Sequence, residues 1–201
     1  MKRVLLVFLI NSLFFTISLT QVVYKIDEGS VMTITGTSTI HDWTSKVNEI
    51  KGDYILKDDI KNKNIPKSGS IIEQVTLVVP VLSIESPRGA TMDNKTYNAL
   101  KSEEYPNLTF KVKEDNIERI LDKAENKFLL KVTGDLTLAG HTKEVIIAVE
   151  GQKLASGQFK FKGAYPIDMV EYEIVPPTAM FGQIKTGKDV TIDFDLILSE
   201  Q

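Results

Sequence analysis

Phe128-Leu-Leu-Lys-Val-Thr-Gly-Asp-Leu-Thr-Leu-Ala-Gly-His-Thr-Lys-Glu-Val-Ile-Ile-Ala-Val149 is the stretch that decides the fold. Phe128, Leu130, Val132, Gly134, Leu136 and Leu138 alternate with Leu129, Lys131, Thr133, Asp135 and Thr137. Ala139-Gly140-His141-Thr142 breaks the alternation, and Val145, Ile147 and Val149 resume it. Successive side chains of a strand point to opposite faces. A period of two on both sides of a Gly-containing break therefore predicts a β-hairpin with one dry and one wet face.

The same rhythm extends outward in both directions. Val31 to Thr39 is rich in β-branched residues, and Trp43 to Leu56 offers a second stretch with a break expected at Gly52. Ile71, Val75, Leu77, Val79 and Val81 line one face of a long strand, where Pro80 lacks an N–H and marks an edge, bulge or bend. Further alternation follows at Leu108, Phe110 and Val112, at Phe159, Phe161 and Gly163, and at Val190, Ile192, Phe194, Leu196 and Leu198. Arg88 to Ser102 is the exception. Met92, Thr96, Ala99 and Leu100 fall at helical spacing, with Thr91 or Asp93 available as a cap. Asn62 to Ser70 and Pro176 to Gly187 read as turn-rich connections. Many strands with no βαβ rhythm predict an all-β antiparallel fold, and periodicity leaves a sandwich and a closed barrel both open.

The 201 residues, 42% hydrophobic and 25% charged, suit one domain with a substantial core. Lys2-Arg3 precedes an apolar run from Val4 to Leu19. As a helix that run would reach about 24 Å, short of the roughly 30 Å hydrocarbon layer. With Ser18 and Thr20 before Gln21, residues 1–20 read as a cleaved signal peptide and 21–201 as the mature domain, periplasmic or secreted. Taking Lys2 and Arg3 from the 24 basic residues, against 27 acidic ones, leaves a charge of −5. A nucleic-acid partner, which needs clustered Lys and Arg, is not expected. There is no cysteine, so the fold must stand on its core.

Val132-Thr-Gly-Asp-Leu-Thr-Leu-Ala-Gly-His-Thr-Lys143 resembles the G-x-L-T-l-x-G-x-T-K segment of the YceI-like family. Leu100-Lys-Ser-Glu-Glu-Tyr-Pro-Asn-Leu-Thr-Phe110 is similar to that family's passage after its helix, with Asp93 and Leu100 at the helix's acidic and leucine positions. Gly36-Thr-Ser-Thr-Ile-His-Asp-Trp43 resembles the early segment where many members carry a His, and Gly187-Lys-Asp-Val-Thr-Ile192 the closing strand. The resemblance runs from about Val23 to Leu198. It implies a lipocalin-like antiparallel β-barrel of about eight strands with one short helix inserted, exported, binding a polyisoprenoid lipid and commonly forming a homodimer, for which edges near Pro80 or the last strand would serve. Glu103-Glu104 directly before Tyr105, and the Asp168 to Phe181 region without the family's D-F-G wording, depart from the pattern where ligand choice would be set.

His41-Asp42-Trp43 is the most tempting catalytic cluster, but neighbours on a strand face opposite ways. The expectation is a turn, with His41 and Trp43, together with Met180 and Phe181, as rim residues. His141, in the hairpin break, is expected to be exposed. With no Cys, two separated His, no calcium loop and no nucleophile elbow, neither metal nor cofactor nor catalysis is expected. Phe110, Phe128, Leu130, Leu136, Phe159, Phe161 and Phe194 form the inward set. They are either plain core or a tunnel wall, and the family resemblance points to the tunnel. The expected function is an exported protein holding a long isoprenoid, quinone-like or polyprenyl. An enzyme acting on a hydrophobic molecule and a solid-cored envelope module are the alternatives. Because Arg88, Lys143, Lys185 and Lys188 come from separate stretches, a neutral head group is expected.

Overall fold

Closing a sheet on itself removes the free edges that invite unwanted pairing, and this chain does so with eight antiparallel staves. The computed structural model describes residues 22–57, 60 and 64–201; the segment read as a signal peptide lies outside them. The first three staves are each interrupted: β1 (Val23–Ile26) with β2 (Val31–Ser38), β3 (Trp43–Val47) with β4 (Lys51–Leu56), and β5 (Ile72–Pro80) with β6 (Ile84–Glu85). The remaining five are β7 (Asn107–Asp122), β8 (Lys127–Leu138), β9 (His141–Lys153), β10 (Phe159–Asp168) and β12 (Ile184–Glu200). Each pairs with the next in sequence. β12 then bonds β2 through Thr186–Asp195 and β1 through Leu198–Glu200, which closes the ring. The last strand is thus bonded on both sides, and the free edge expected there does not exist. The short β11 (Thr178–Ala179) pairs only with the start of β12, and helix α1 (Ala90–Ala99) is inserted between β6 and β7.

The faces follow the alternation. In β8, Phe128, Leu130, Val132, Gly134, Leu136 and Leu138 are buried while Lys131 is exposed, and in β9 Val145, Ile147, Val149 and Gly151 repeat the pattern. Register places Leu130 opposite Val149 and Val132 opposite Ile147, so a slip by one residue would turn both sets outward. On the wet side Lys113 bridges Asp135 at 2.7 Å and Glu144 at 3.0 Å across three strands.

Two readings of the turns are corrected. The β8–β9 break is two residues long, Ala139-Gly140, with φ of 47° and 85°, and Leu138 already pairs with His141. Positive φ at both positions gives the turn the twist that a hairpin needs, and at Gly140 a Cβ would lie 2.4 Å from the Tyr105 ring. Likewise the strand does not break at Gly52, which is paired within β4. The interruption lies at Asn48–Ile50, where the chain turns the barrel corner. Pro80 does mark a bend: β5 ends there and a 3-10 turn, Val81–Ser83, carries the stave on.

Helix α1 begins after Gly89, whose φ is 79°, and neither Thr91 nor Asp93 caps it. Asp93 instead accepts a hydrogen bond from the Ser86 N–H at 2.6 Å, tying the helix back to the loop before it. At the opposite end Asp115 accepts from Ser70 Oγ at 2.6 Å and Ile71 N at 2.7 Å, fixing the connection into β5 against β7. Part of the turn-rich Asn62 to Ser70 connection lies outside the described residues.

Candidate functional site

The two ends of the barrel are built differently. At the end where β7 turns into β8, Tyr24, Leu56, Ile60, Ile71, Ile117, Phe128 and Phe159 are all almost wholly buried. Tyr24 meets Phe159 edge to face at 5.8 Å between ring centroids, and Phe159 stacks on Phe161 at 6.3 Å. Aromatic rings in these arrangements fill volume that aliphatic side chains would leave as gaps. That end is plugged.

Above the plug lies a cavity of about 150 Å³. Its wall is almost entirely aliphatic and aromatic, from Leu56, Ile72 and Leu198 near the plug to Ile34, Leu108, Leu138 and Ile192 higher up. Of the inward set, Phe110, Leu130, Leu136, Phe161 and Phe194 line it. Phe128 and Phe159 do not. They belong to the plug, because they lie at the strand starts where the barrel tapers and rings from neighbouring staves meet. Three of the phenylalanines lie across a glycine on the adjoining strand. A Cβ at Gly134 would sit 2.7 Å from the Phe110 ring, one at Gly151 2.3 Å from Phe128 and one at Gly163 2.6 Å from Phe194. The missing side chains leave room for the rings to lie against the wall instead of across the axis. The few polar groups here are sheltered. Tyr54 donates to the Lys51 carbonyl at 2.9 Å, and burial pushes its phenol far above the usual range.

Ile34, Leu108, Leu138 and Ile192 also line a second cavity of about 180 Å³, so the two chambers adjoin across these four side chains. The second lies at the other end of the barrel, roofed by α1 and by the Met169–Ile184 segment. Its lining mixes Ile84, Met92, Ala99 and Ile167 with Ser38, Ser45, Ser86, Thr96, His41, Arg88 and Lys95. The Lys95 ammonium donates to the Thr178 carbonyl at 3.0 Å, and the Tyr97 hydroxyl to the Leu82 carbonyl at 3.1 Å. These two bonds hold the helix over the mouth. None of the residues of α1 is buried, so the roof is lightly attached.

The expected rim separates into two groups. His41 and Trp43 line the mouth chamber. His41 lies in a turn, its Nδ1 2.8 Å from the Asp42 carbonyl oxygen, and Trp43 lies over Gly36 and donates its indole N–H to the Thr37 carbonyl at 3.0 Å. Met180 and Phe181 do not reach the chamber. Both hold positive φ in the tight turn between β11 and β12, and Phe181 is fully exposed. His141 is half-exposed with Nε2 3.5 Å from Glu173.

Sequence reasoning missed Ser45, Arg88, Lys95 and Thr96 as lining residues. The signals were present. Ser45 alternates with Trp43 and Val47 on the inward face of β3, and Lys95 shares a helical face with Met92 and Ala99.

A closed up-and-down barrel with a dry chamber, plugged at one end and roofed at the other, is the architecture of β-barrels that enclose a single small ligand. The chain belongs to the family of YceI-like domains, whose sequence profile matches residues 16–198. No curated protein matches the sequence significantly. Solved structures of the same fold include BcnA of Burkholderia cenocepacia, at 16% identity and TM-score 0.61, covering 87% of this chain and 100% of that one. A polyisoprenoid binding domain of Saccharophagus degradans implicated in plant cell wall breakdown aligns at 14% identity and TM-score 0.64, covering 89% and 98%. The Campylobacter jejuni YCEI protein aligns at 16% identity and TM-score 0.55, covering 78% and 84%.

Proposed function

We propose that this chain is an exported carrier that holds a long isoprenoid, quinone-like or polyprenyl, in its barrel and performs no catalysis on it. The observation that carries the reading is the pair of adjoining chambers along the barrel, apolar and plugged at the deep end, mixed polar and apolar at the roofed end. A slender apolar tail with one polar terminus matches that gradient. Burial at about 0.8 kcal/mol per CH₂ would drive binding without a single polar contact in the deep part. The relative from Saccharophagus degradans, described as a polyisoprenoid binding domain, supports the tail class. A cavity of this kind speaks against a solid-cored envelope module. A binding role is also favoured over an enzyme because His41 is bonded to a backbone carbonyl and not to a carboxylate that could orient it as a base. Export rests on the basic, apolar, small-residue order of residues 1–20, and N-terminal sequencing of the exported protein is expected to begin near Gln21.

The test is to purify the protein natively, extract it with organic solvent and weigh what is released. An isoprenoid in near-stoichiometric amount is expected. Protein that carries none and takes up none when offered would overturn the reading.

A further inference from the structure

Among the described residues, the large hydrophobic side chains that stand in solvent are unevenly placed. At the plugged end Val23 and Leu121 are only 37% and 40% exposed. Phe181, Val175 and Met180, at 108%, 79% and 65%, are the barest of all, and with Ile40 at 61% they stand on connections at the roofed end. Ile40 itself lines the mouth chamber. Val175 lies between the lining residues Ile174 and Pro177, and Met180 and Phe181 lie between Ala179 and Ile184. Backbone bonds hold these connections together on one side of the entrance. The Thr39 N–H donates to the Lys185 carbonyl at 3.0 Å, and the Thr186 N–H to the Pro177 carbonyl at 3.0 Å. Met180 and Phe181 hold φ of 49° and 53°, a conformation that bulky residues rarely adopt. Neither side chain is packed into the core, so the fold recovers nothing for that strain. The nearby acids Glu171 and Asp168 are paired with Lys143 and Lys188, which leaves the bare side chains amid balanced charge.

We propose that this side of the mouth docks on a lipid bilayer, with Phe181, Met180, Val175 and Ile40 sunk among the head groups. The occupant follows from where the face lies, and to that extent the proposal rests on the carrier reading. A long isoprenoid is held in a lipid phase and not in water, so its carrier must load and unload against one through the end that is not plugged. Exposed apolar sets of this kind mark contact surfaces, and side chains on separate connections can sink together into a fluid that closes around each of them. The same β11–β12 hairpin accepts the Lys95 bond that holds α1 over the mouth, which sets the roof beside the docked face. With charge balanced around the tips, attraction comes from apolar burial. It therefore needs no anionic lipid and is not screened by salt.

The test is flotation of the purified protein with vesicles of phosphatidylcholine alone, at low and at high salt. The wild type is expected to float equally in both. Phe181→Ser and Val175→Ser should each weaken the association about tenfold or more, the scale of withdrawing one large apolar side chain from a lipid phase. Both should take up farnesol in vesicle-free buffer as the wild type does, since neither side chain lines a chamber. Ile146→Ser, which removes a bare side chain from the outer wall of β9, should float like the wild type. Wild-type protein that stays out of the vesicle fraction would overturn the docking face, whatever the barrel carries. So would an equal loss at 146 and 181, or flotation that appears only when phosphatidylglycerol is added and vanishes at high salt. Protein that floats as described yet takes up no isoprenoid would uphold the docking face and overturn the carrier reading alone.

Discussion

Asp115 and Tyr172 show how single side chains hold the two ends of the barrel. Asp115 gathers Ser70 Oγ and the Ile71 amide onto one carboxylate. Removing it leaves the partly buried Ile71 amide without its acceptor, which costs about 1–3 kcal/mol. Asp115→Ala should accordingly lower the unfolding free energy obtained from urea titration by that amount without altering ligand binding at the far end. Tyr172, only 2% exposed, closes the roofed end, where the Lys143 ammonium lies 5.6 Å from its ring centroid. Burial, aided by Tyr165 and Glu171, pushes its phenol up to about 12. The unfolded chain loses that proton near pH 10 and the folded chain only near 12, so the fold binds more protons in between. Stability from this group is full below pH 10 and is lost as pH rises towards 12. In alkaline unfolding curves Tyr172→Phe should flatten that part of the decline. A curve as steep as the wild type's would show that the phenol is not responsible.

The strands show how far alternation can be read and where it stops. The inward positions of β8, β9 and β12 follow from period two, because strands of a half-buried sheet obey local geometry. The helix over 90–99 was also legible from its spacing. What local pattern could not show is which inward ring lines the tunnel and which plugs it. Phe110 and Phe128 are indistinguishable by period, yet one lies in the wall and the other in the plug. The glycines opposite these rings could not be interpreted until cross-strand register was known. Gly163→Ala would place a Cβ 2.6 Å from the Phe194 ring and 3.1 Å from the Ala148 carbonyl oxygen. Since the backbone cannot yield, the ring must swing towards the axis. Such overpacking costs about 1–3 kcal/mol. The expected outcome is a folded, less stable protein that carries markedly less lipid per mole. Unchanged lipid content would show that the ring escapes elsewhere.

For the whole molecule, a ligand that fills the tunnel binds the folded state alone. At a hundredfold excess over Kd it should add about 2.7 kcal/mol to stability. Delipidated protein should therefore melt at a lower Tm than protein purified with its cargo, and Tm should climb with added isoprenoid. A Tm indifferent to lipid would argue that nothing occupies the chamber. The sequence by itself determined that this is an all-β chain, because alternation, glycines and the lack of helix–strand rhythm are local properties written residue by residue. Its wording, matched over nearly the whole chain, also pointed to the family. Tertiary structure alone decided that the sheet closes with β12 bonded on both sides, that one end is plugged and the other roofed, and that Ser45, Arg88, Lys95 and His41 share a chamber. Those residues are separated along the chain and meet only because closure brings the same ends of the staves together. Convergence of that kind depends on register and shear, which no single strand encodes.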